Sequence, residues 1–396
     1  MASDPGIECK VFSLFPPTTT TVHPAAESWL PHHRRPRPAS GVLALFWWLT
    51  RSPLRLLAAV VMVIGGYARH PVLLARAVAT LPVAAANARS LAILGVDHVH
   101  AHFATYPLLT AWLCHRLTSV PYSFTAHAHD IFIDQSFLRP RLAAADFAVA
   151  ISHFNRGFLA AYGGDRATPV HVIGCGIDLS EYWYRPRAPG PSGAVRALCV
   201  ASLKDYKGHR FLLEALAGGP PELERVQVDL VGDGPLREPL RQLVLELGLG
   251  DRVRFHGALP EPAVTRLLDD AHLFVLPSVV APNGQMEGLP VVLMEALGAG
   301  VPVVATRTSG VPELIRDGET GLLAEPGNPS DLRNAIMQLL ADPSAALRRA
   351  DAGRSLVERD HDVCRSAAVL VRLFQGSAPW ADEDRLPHEA SPAPSK

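Results

Sequence analysis

Short apolar runs alternate with helix-length segments along most of this chain, and the alternation stops once and then restarts. Residues 96–103, 122–126, 147–151 and 170–173 read as strands. Helices fall between them, at 108–117 and from Ser152, a residue suited to cap the helix it precedes. RPRAPGPSG, at 185–193, is a Pro/Gly break. Beyond it, strands at 197–201, 227–231, 253–256, 273–276, 303–306 and 321–324 alternate with helices at 209–217, 236–247, 262–269, 290–299 and 329–341. Such alternation places helices on both faces of a parallel sheet. At roughly 100–200 residues per domain, 396 residues hold two such units. The expectation is an α/β chain of two doubly wound, Rossmann-like domains facing a central cleft. The divisions are 1–185, a linker at 186–194, a second domain at 195–343, one closing helix at 344–376 and a disordered Pro/Ala/charge-rich tail at 377–396.

Open α/β sheets bind ligands outside the carboxyl ends of their strands. The cleft should therefore collect the loops 127–130, 174–178, 202–208, 232–235, 256–259 and 281–290. Composition narrows what they can bind. A net charge of −1 gives no basic field for nucleic acid. Five scattered cysteines without a CxxC point away from a disulfide framework or a structural zinc site, and fit a reducing cytoplasm. Lysine occurs only at Lys10, Lys204, Lys207 and Lys396, so the pair at 204–207 stands out.

The first 17 residues lack the pattern of a signal peptide. Residues 42–94 read as helical with breaks at Pro53, Pro71 and Pro82. The longest clean apolar piece, 56–66, is half of the roughly 20 residues that a spanning helix needs. Two readings of 42–66 stay open. One is a buried helix of the first domain. The other is a helix in a membrane interface, with Trp47 and Trp48 at headgroup level and Arg34, Arg35, Arg37, Arg51 and Arg55 meeting anionic lipid.

The most informative stretch is EGLPVVLMEALGAGVPVV, from Glu287. Pro290 suits the first position of a helix, and the helix N-terminus offers free N–H groups to an anion. Glu295 lies about two turns beyond Glu287, so both carboxylates can reach one elongated ligand with phosphates in its middle. Taken alone, the stretch is equally a surface helix with two solvated glutamates.

In context it resembles glycosyltransferase family 4, the retaining, nucleotide-sugar-dependent enzymes of the GT-B fold. Glu287 and Glu295 match the family's Glu-x7-Glu. SGVPEL from Ser309, Gly318, GLL from Gly321, VGDGP from Val231, FHG from Phe255 and LPS from Leu276 match in order. The resemblance covers 96–343 and is densest from Val195 onward. It implies that Glu295 binds the ribose hydroxyls and Glu287 the hydroxyls of the transferred sugar. It implies that amides near Gly288 and Leu289 contact sugar or phosphates, and it places Gly232 and His256 in donor-binding turns. Lys207 matches the lysine that grips the diphosphate. The partner arginine's place is taken by Ser202, with Lys204 as the substitute charge. In the first half, Thr125–Asp130 resembles the family's T-x-H-x-x-D turn, which makes His127 the active-site histidine and Asp130 a turn residue. The turn at Cys175–Asp178 is structural by the same comparison.

No DxD stands in a suitable loop, so a metal-independent enzyme without a cofactor is expected, its co-substrate a nucleotide diphosphate sugar. The family's first strand–loop–helix has no counterpart, because residues 6–14 already read as the second strand. The nearest likeness is to bacterial exopolysaccharide enzymes of the colanic-acid type. It implies a saccharide or lipid-linked acceptor and a cytoplasmic protein with peripheral contact at the inner membrane. Two alternatives remain. One is a metallohydrolase built on His127 and His129, below the alternating His98, His100 and His102. The other is a non-catalytic binder of nucleotide sugars.

Overall fold

The computed structural model describes residues 6–16, 24–163, 168–190 and 192–376. The tail reading at 377–396 lies outside them. The second half is the more regular. Its strands are β7 (Val195–Val200), β8 (Val226–Val231), β9 (Val253–Gly257), β10 (Leu273–Leu276), β11 (Val303–Thr306) and β12 (Leu322–Ala324). They form one parallel sheet in the order β12-β11-β10-β7-β8-β9. The order reverses between β7 and β10, which opens a crevice at their carboxyl ends. One core lies on one face around Leu212, Leu213, Leu230 and Ile336, and another on the opposite face around Phe274, Leu293 and Leu314. The central strands β10 and β11 are buried on both sides and read as unbroken apolar runs, whereas β8 and β9, toward one edge, alternate apolar with polar residues.

The first half holds β3 (Val99–His102), β4 (Tyr122–Ala126), β5 (Phe147–Ala150) and β6 (Val170–Val172), parallel and in sequential order. Helices α5 (Tyr106–Thr118), α6 (Leu138–Ala143) and α7 (His153–Gly163) cover the face carrying Tyr122, Phe124 and Ala148. The Ser152 hydroxyl accepts the Asn155 N–H at 3.1 Å and caps α7 as expected. The opposite face receives Leu373 and Phe374 from the far end of the chain.

Several expectations need correction. Residues 6–14 do not add a strand to this sheet. Val11–Phe12 (β1) pairs with His33–Arg34 (β2) in a separate two-stranded ladder, and a short helix, Pro24–Glu27 (α1), lies between them in sequence. The N-terminal helices are α2 (Pro38–Arg51), α3 (Pro53–Tyr67) and α4 (Pro71–Leu94), and α4 runs through Pro82 without a break. Pro82 packs closely against Gly41 of α2, where a side chain would meet its atoms at 2.8 Å. The Ala-rich side of α4 packs against α2 and α5, as small side chains allow. Among the described residues α4 is long and apolar enough to cross a bilayer, yet half of its most apolar stretch is buried in this layer.

The closing helix is two helices, α14 (Pro343–Asp360) and α15 (Val363–Phe374). Between them the backbone leaves helical geometry to pair with Ile177, whose N–H bonds the His361 carbonyl at 2.9 Å and whose carbonyl accepts the Val363 N–H at 3.1 Å. Gly176 permits that approach, since a Cβ there would lie 2.5 Å from the Val363 backbone. The Cys175–Asp178 turn is thus structural, and α15 crosses back onto the first sheet. A second tie is Glu313 of α12 (Val311–Leu314). Its carboxylate accepts the His153 and Phe154 amides at 2.8 and 2.9 Å, a negative charge at the N-terminus of α7.

Candidate active site

Lys207 comes from the loop after β7 and Glu287 from the loop after β10, the two strands that flank the crevice. Gly208 sets the first. Its φ is +66°, and a Cβ would fall 1.9 Å from the Pro277 carbonyl oxygen, so only glycine lets the loop press against the end of β10. Lys207 Nζ then lies 2.5 Å from Glu287 Oε1, with both side chains largely buried. Ser278 donates its hydroxyl to the same oxygen at 2.9 Å. The Tyr206 ring lies 4.9 Å from the ammonium. Behind the pair, Ser309 donates to the Glu287 carbonyl at 2.7 Å, and Gly310 N–H bonds the Gly288 carbonyl.

Gly288 faces the first domain. A Cβ there would lie 3.0 Å from Ala128 Cβ and 2.9 Å from Ile151 Cδ1, so the turn carrying His127 meets the Glu287 loop too closely to admit a side chain without a shift. Leu289 points into the core and leaves its backbone at the start of α11 (Val291–Ala299), where helix amides lack partners within the helix. Pro290 is the N-cap, one position earlier than expected. Gly232, at φ +136°, approaches the Ala201 carbonyl so closely that a Cβ would sit 2.0 Å away, and so brings the loop after β8 onto Ser202. Ser202 accepts the Lys204 amide through its carbonyl, and the Lys204 side chain is exposed to solvent. His256 is held at the edge by Asp229, 2.6 Å from its Nε2.

Glu295 projects from the second turn of α11 into a group not foreseen from the sequence. Burial first, and then the Glu261 carboxylate, push its pKa up to about 7, while a hydrogen bond from Tyr182 opposes the rise. Tyr182 also donates to Glu261 Oε1 at 3.3 Å. Glu261 opens α10 (Glu261–Asp270), and Tyr182 belongs to the chain entering the linker. Neither sits in a motif that would have singled it out.

In the first domain His127 Nε2 lies 3.0 Å from His102 Nε2, so one imidazole donates and the other accepts. The alternating histidines at 98, 100 and 102 thus take part in hydrogen bonds with the neighbouring strand and turn. His98 and His100 both bond the Ser123 hydroxyl, and His100 also bonds Thr125. Asp130 is turned inward, where it accepts the Ala104 amide at 2.5 Å. Among the described residues no three His, Cys, Asp or Glu side chains gather to hold a metal ion. Burial, reinforced by the His102 and His129 rings, lowers the His127 pKa to about 4. Replacing His102 with alanine removes one ring and admits water. The His127 midpoint is then expected to rise toward the ordinary imidazole value near 6.5. A 15N-detected NMR titration of the imidazoles reads this directly, and an unmoved midpoint would contradict the coupling.

Two family models match the chain. Residues 50–181 match Glycosyltransferase Family 4 and residues 185–356 match Glycosyl transferases group 1. Each half of the chain thus matches a glycosyltransferase family. The match begins at residue 50 and so takes in α3 and α4, earlier than the motifs alone indicated. The chain is 35% identical over 196 residues to the putative colanic acid biosynthesis glycosyltransferase WcaL of Escherichia coli, covering 50% of this chain and 47% of that protein. It is 34% identical over 239 residues to the amylovoran biosynthesis glycosyltransferase AmsK of Erwinia amylovora, covering 59% and 58%. It thus spans about half the length of these relatives. Among solved structures, HepE of Anabaena in complex with UDP and glucose superposes with a TM-score of 0.64 at 24% identity, covering 74% of this chain and 82% of that one. Sucrose-phosphate synthase of Thermosynechococcus elongatus also superposes with a TM-score of 0.64 at 24% identity, covering 75% and 78%. The fold of the chain is therefore GT-B.

Proposed function

We propose that this chain transfers a sugar, with retention, from a nucleotide diphosphate sugar to a hydroxyl of a saccharide or lipid-linked saccharide in exopolysaccharide or cell-surface glycan synthesis. The observation that carries the reading is the meeting of three parts at one crevice: Lys207 on Glu287, the N-terminus of α11, and the His127 turn against Gly288. An ammonium has three donors, so Lys207 can keep Glu287 and still give two to a diphosphate. Both hydrogen bonds to the Glu287 carboxylate end on Oε1, which leaves Oε2 for a sugar hydroxyl. Glu295, beside Glu261 and Tyr182, is placed for the ribose diol. The α11 amides and Lys207 stabilise charge on the departing diphosphate without a metal ion. His127, neutral above about pH 4, offers a ring nitrogen as hydrogen-bond partner at the transferred sugar.

The acceptor reading draws on WcaL and AmsK, whose names assign them to colanic acid and amylovoran biosynthesis. It also draws on a mycobacterial relative, 30% identical, named as a phosphatidylinositol monomannoside mannosyltransferase. A lipid-carried acceptor places the protein at the inner face of the membrane. A donor-hydrolysis screen over UDP-, GDP- and ADP-sugars tests the reading, with Glu287→Ala as the control. One donor should be cleaved, EDTA should leave the rate intact, and the control should lose it. Binding without turnover of any donor would favour a non-catalytic sugar-nucleotide binder. Loss of activity in EDTA would overturn metal independence.

A further inference from the structure

Helices α2 and α3 follow one another across Ser52 and lie outermost on the first domain. Their inner faces are ordinary core, with Ala44, Trp48, Leu56, Ala59 and Val63 buried. Trp48 donates its indole N–H to the Ala85 carbonyl at 3.0 Å, and the half-buried Trp47 ring lies under the Arg51 and Arg89 guanidinium groups. The tryptophans expected at headgroup level therefore pack inward.

The outward faces are apolar nonetheless. Leu43, Phe46 and Leu49 on α2 and Leu54, Leu57 and Val61 on α3 are each 50–80% exposed. They recur at helical spacing and form one ridge per helix. Scattered exposed leucines need no explanation, but six large apolar side chains exposed along two consecutive helices do. Charge identifies its partner. Between Glu27 and Asp97 the sequence has eight arginines and no aspartate, glutamate or lysine, in a chain whose net charge is −1. Arg51 and Arg55 stand exposed at the joint of the two helices.

We propose that the outward faces of α2 and α3 dock on an anionic lipid bilayer, with the two helices lying in its interface. An apolar ridge flanked only by arginines is complementary to such a surface. It is not complementary to itself. A two-fold dimer through this face would set the arginines of one copy against those of the other. The ridge also leads to the site. The end of α3 packs on the segment after the His127 turn, with Gly66 against the Phe137 ring and Tyr67 5.9 Å from it. Ile133, on that segment, is exposed as well. A docked α3 thus holds the acceptor side of the cleft near the bilayer. This last point rests on the proposed transfer to a lipid-carried acceptor, whereas docking itself does not.

The test is co-sedimentation of the full chain with phosphatidylcholine vesicles, with and without phosphatidylglycerol. Binding is expected at low salt only when phosphatidylglycerol is present, and it should fall several-fold as salt shortens the screening length. A Phe46→Ser/Leu57→Ser variant should keep its thermal melt and its lipid-free donor hydrolysis, and lose vesicle affinity at least tenfold. Equal binding by wild type and variant, or no binding of the wild type at low salt, would overturn the proposal. So would sedimentation velocity that shows a dimer abolished by the same substitutions, which assigns the ridge to a second copy. Failure of donor hydrolysis with vesicle binding intact would count against the transfer reading alone.

Discussion

Lys207→Ala is expected to weaken binding of the nucleoside diphosphate product about 10–150-fold, the range for removing a charged hydrogen-bond partner. It should also destabilise the fold by about 3–5 kcal/mol, because Glu287 is then left buried with only the Ser278 hydroxyl beside it. Lys204→Ala should do neither, with effects within about a factor of three, since that side chain sits in solvent. Calorimetric titration and chemical denaturation of the two variants settle it. A larger effect from Lys204 would mean that the loop after β7 is assigned to the wrong charge. The double variant Lys207→Ala/Glu287→Ala should be more stable than the sum of the single losses predicts, because no lone charge remains.

Glu295→Ala is expected to weaken the same nucleotide about 10–150-fold, whereas Glu287→Ala acts mainly on turnover. Ribose is common to donor and product, but the transferred sugar is present only in the donor. Equal weakening by both variants would refute the division of roles. The raised pKa of Glu295 adds a second readout. At about 7, against an ordinary 4.5, the folded protein holds a proton that the unfolded chain has released. The stability this residue contributes is complete below the ordinary value and is lost as pH rises through about 7. Binding runs the other way, because the ionised carboxylate is the stronger acceptor for a ribose hydroxyl. Nucleotide affinity should therefore rise from about pH 6 to pH 8, and Glu295→Gln should remove that part of the rise. The phosphate's own ionisation affects both proteins equally, so the difference isolates Glu295.

Much of the second domain was legible because its signals are local. β10, β11 and α13 (Pro329–Ala341) begin and end where the apolar runs and their Gly or Pro neighbours say. Other second-domain elements shift by one or two residues at their ends. Lys207, Glu287 and Gly288 were legible as candidates because each stands in a short motif of fixed spacing, and the fold brings them to one crevice. Where a distant contact overrides a local pattern, the sequence misled. Residues 344–376 carry a helical pattern throughout, yet the backbone breaks at His361 to pair with Ile177, which no neighbouring residue announces. Pro82 looked like a helix end, and the packing of α4 on α2 and α5 keeps the helix whole.

The sequence by itself determined the two α/β halves, the break between them and the loops at the carboxyl ends of the strands, because strand length, turn chemistry and motif spacing are properties of adjacent residues. Only the tertiary structure decided which partner each functional group has. Glu287 lies 80 residues from Lys207, and His127 lies 25 from His102, yet each pair is in hydrogen-bond contact. Only the fold placed Glu261 and Tyr182 beside Glu295 and so set its protonation. It also decided which side of α2 faces inward. A helix with apolar residues all round can present either side, and the neighbours that bury Trp48 leave Phe46 and Leu49 to the outside.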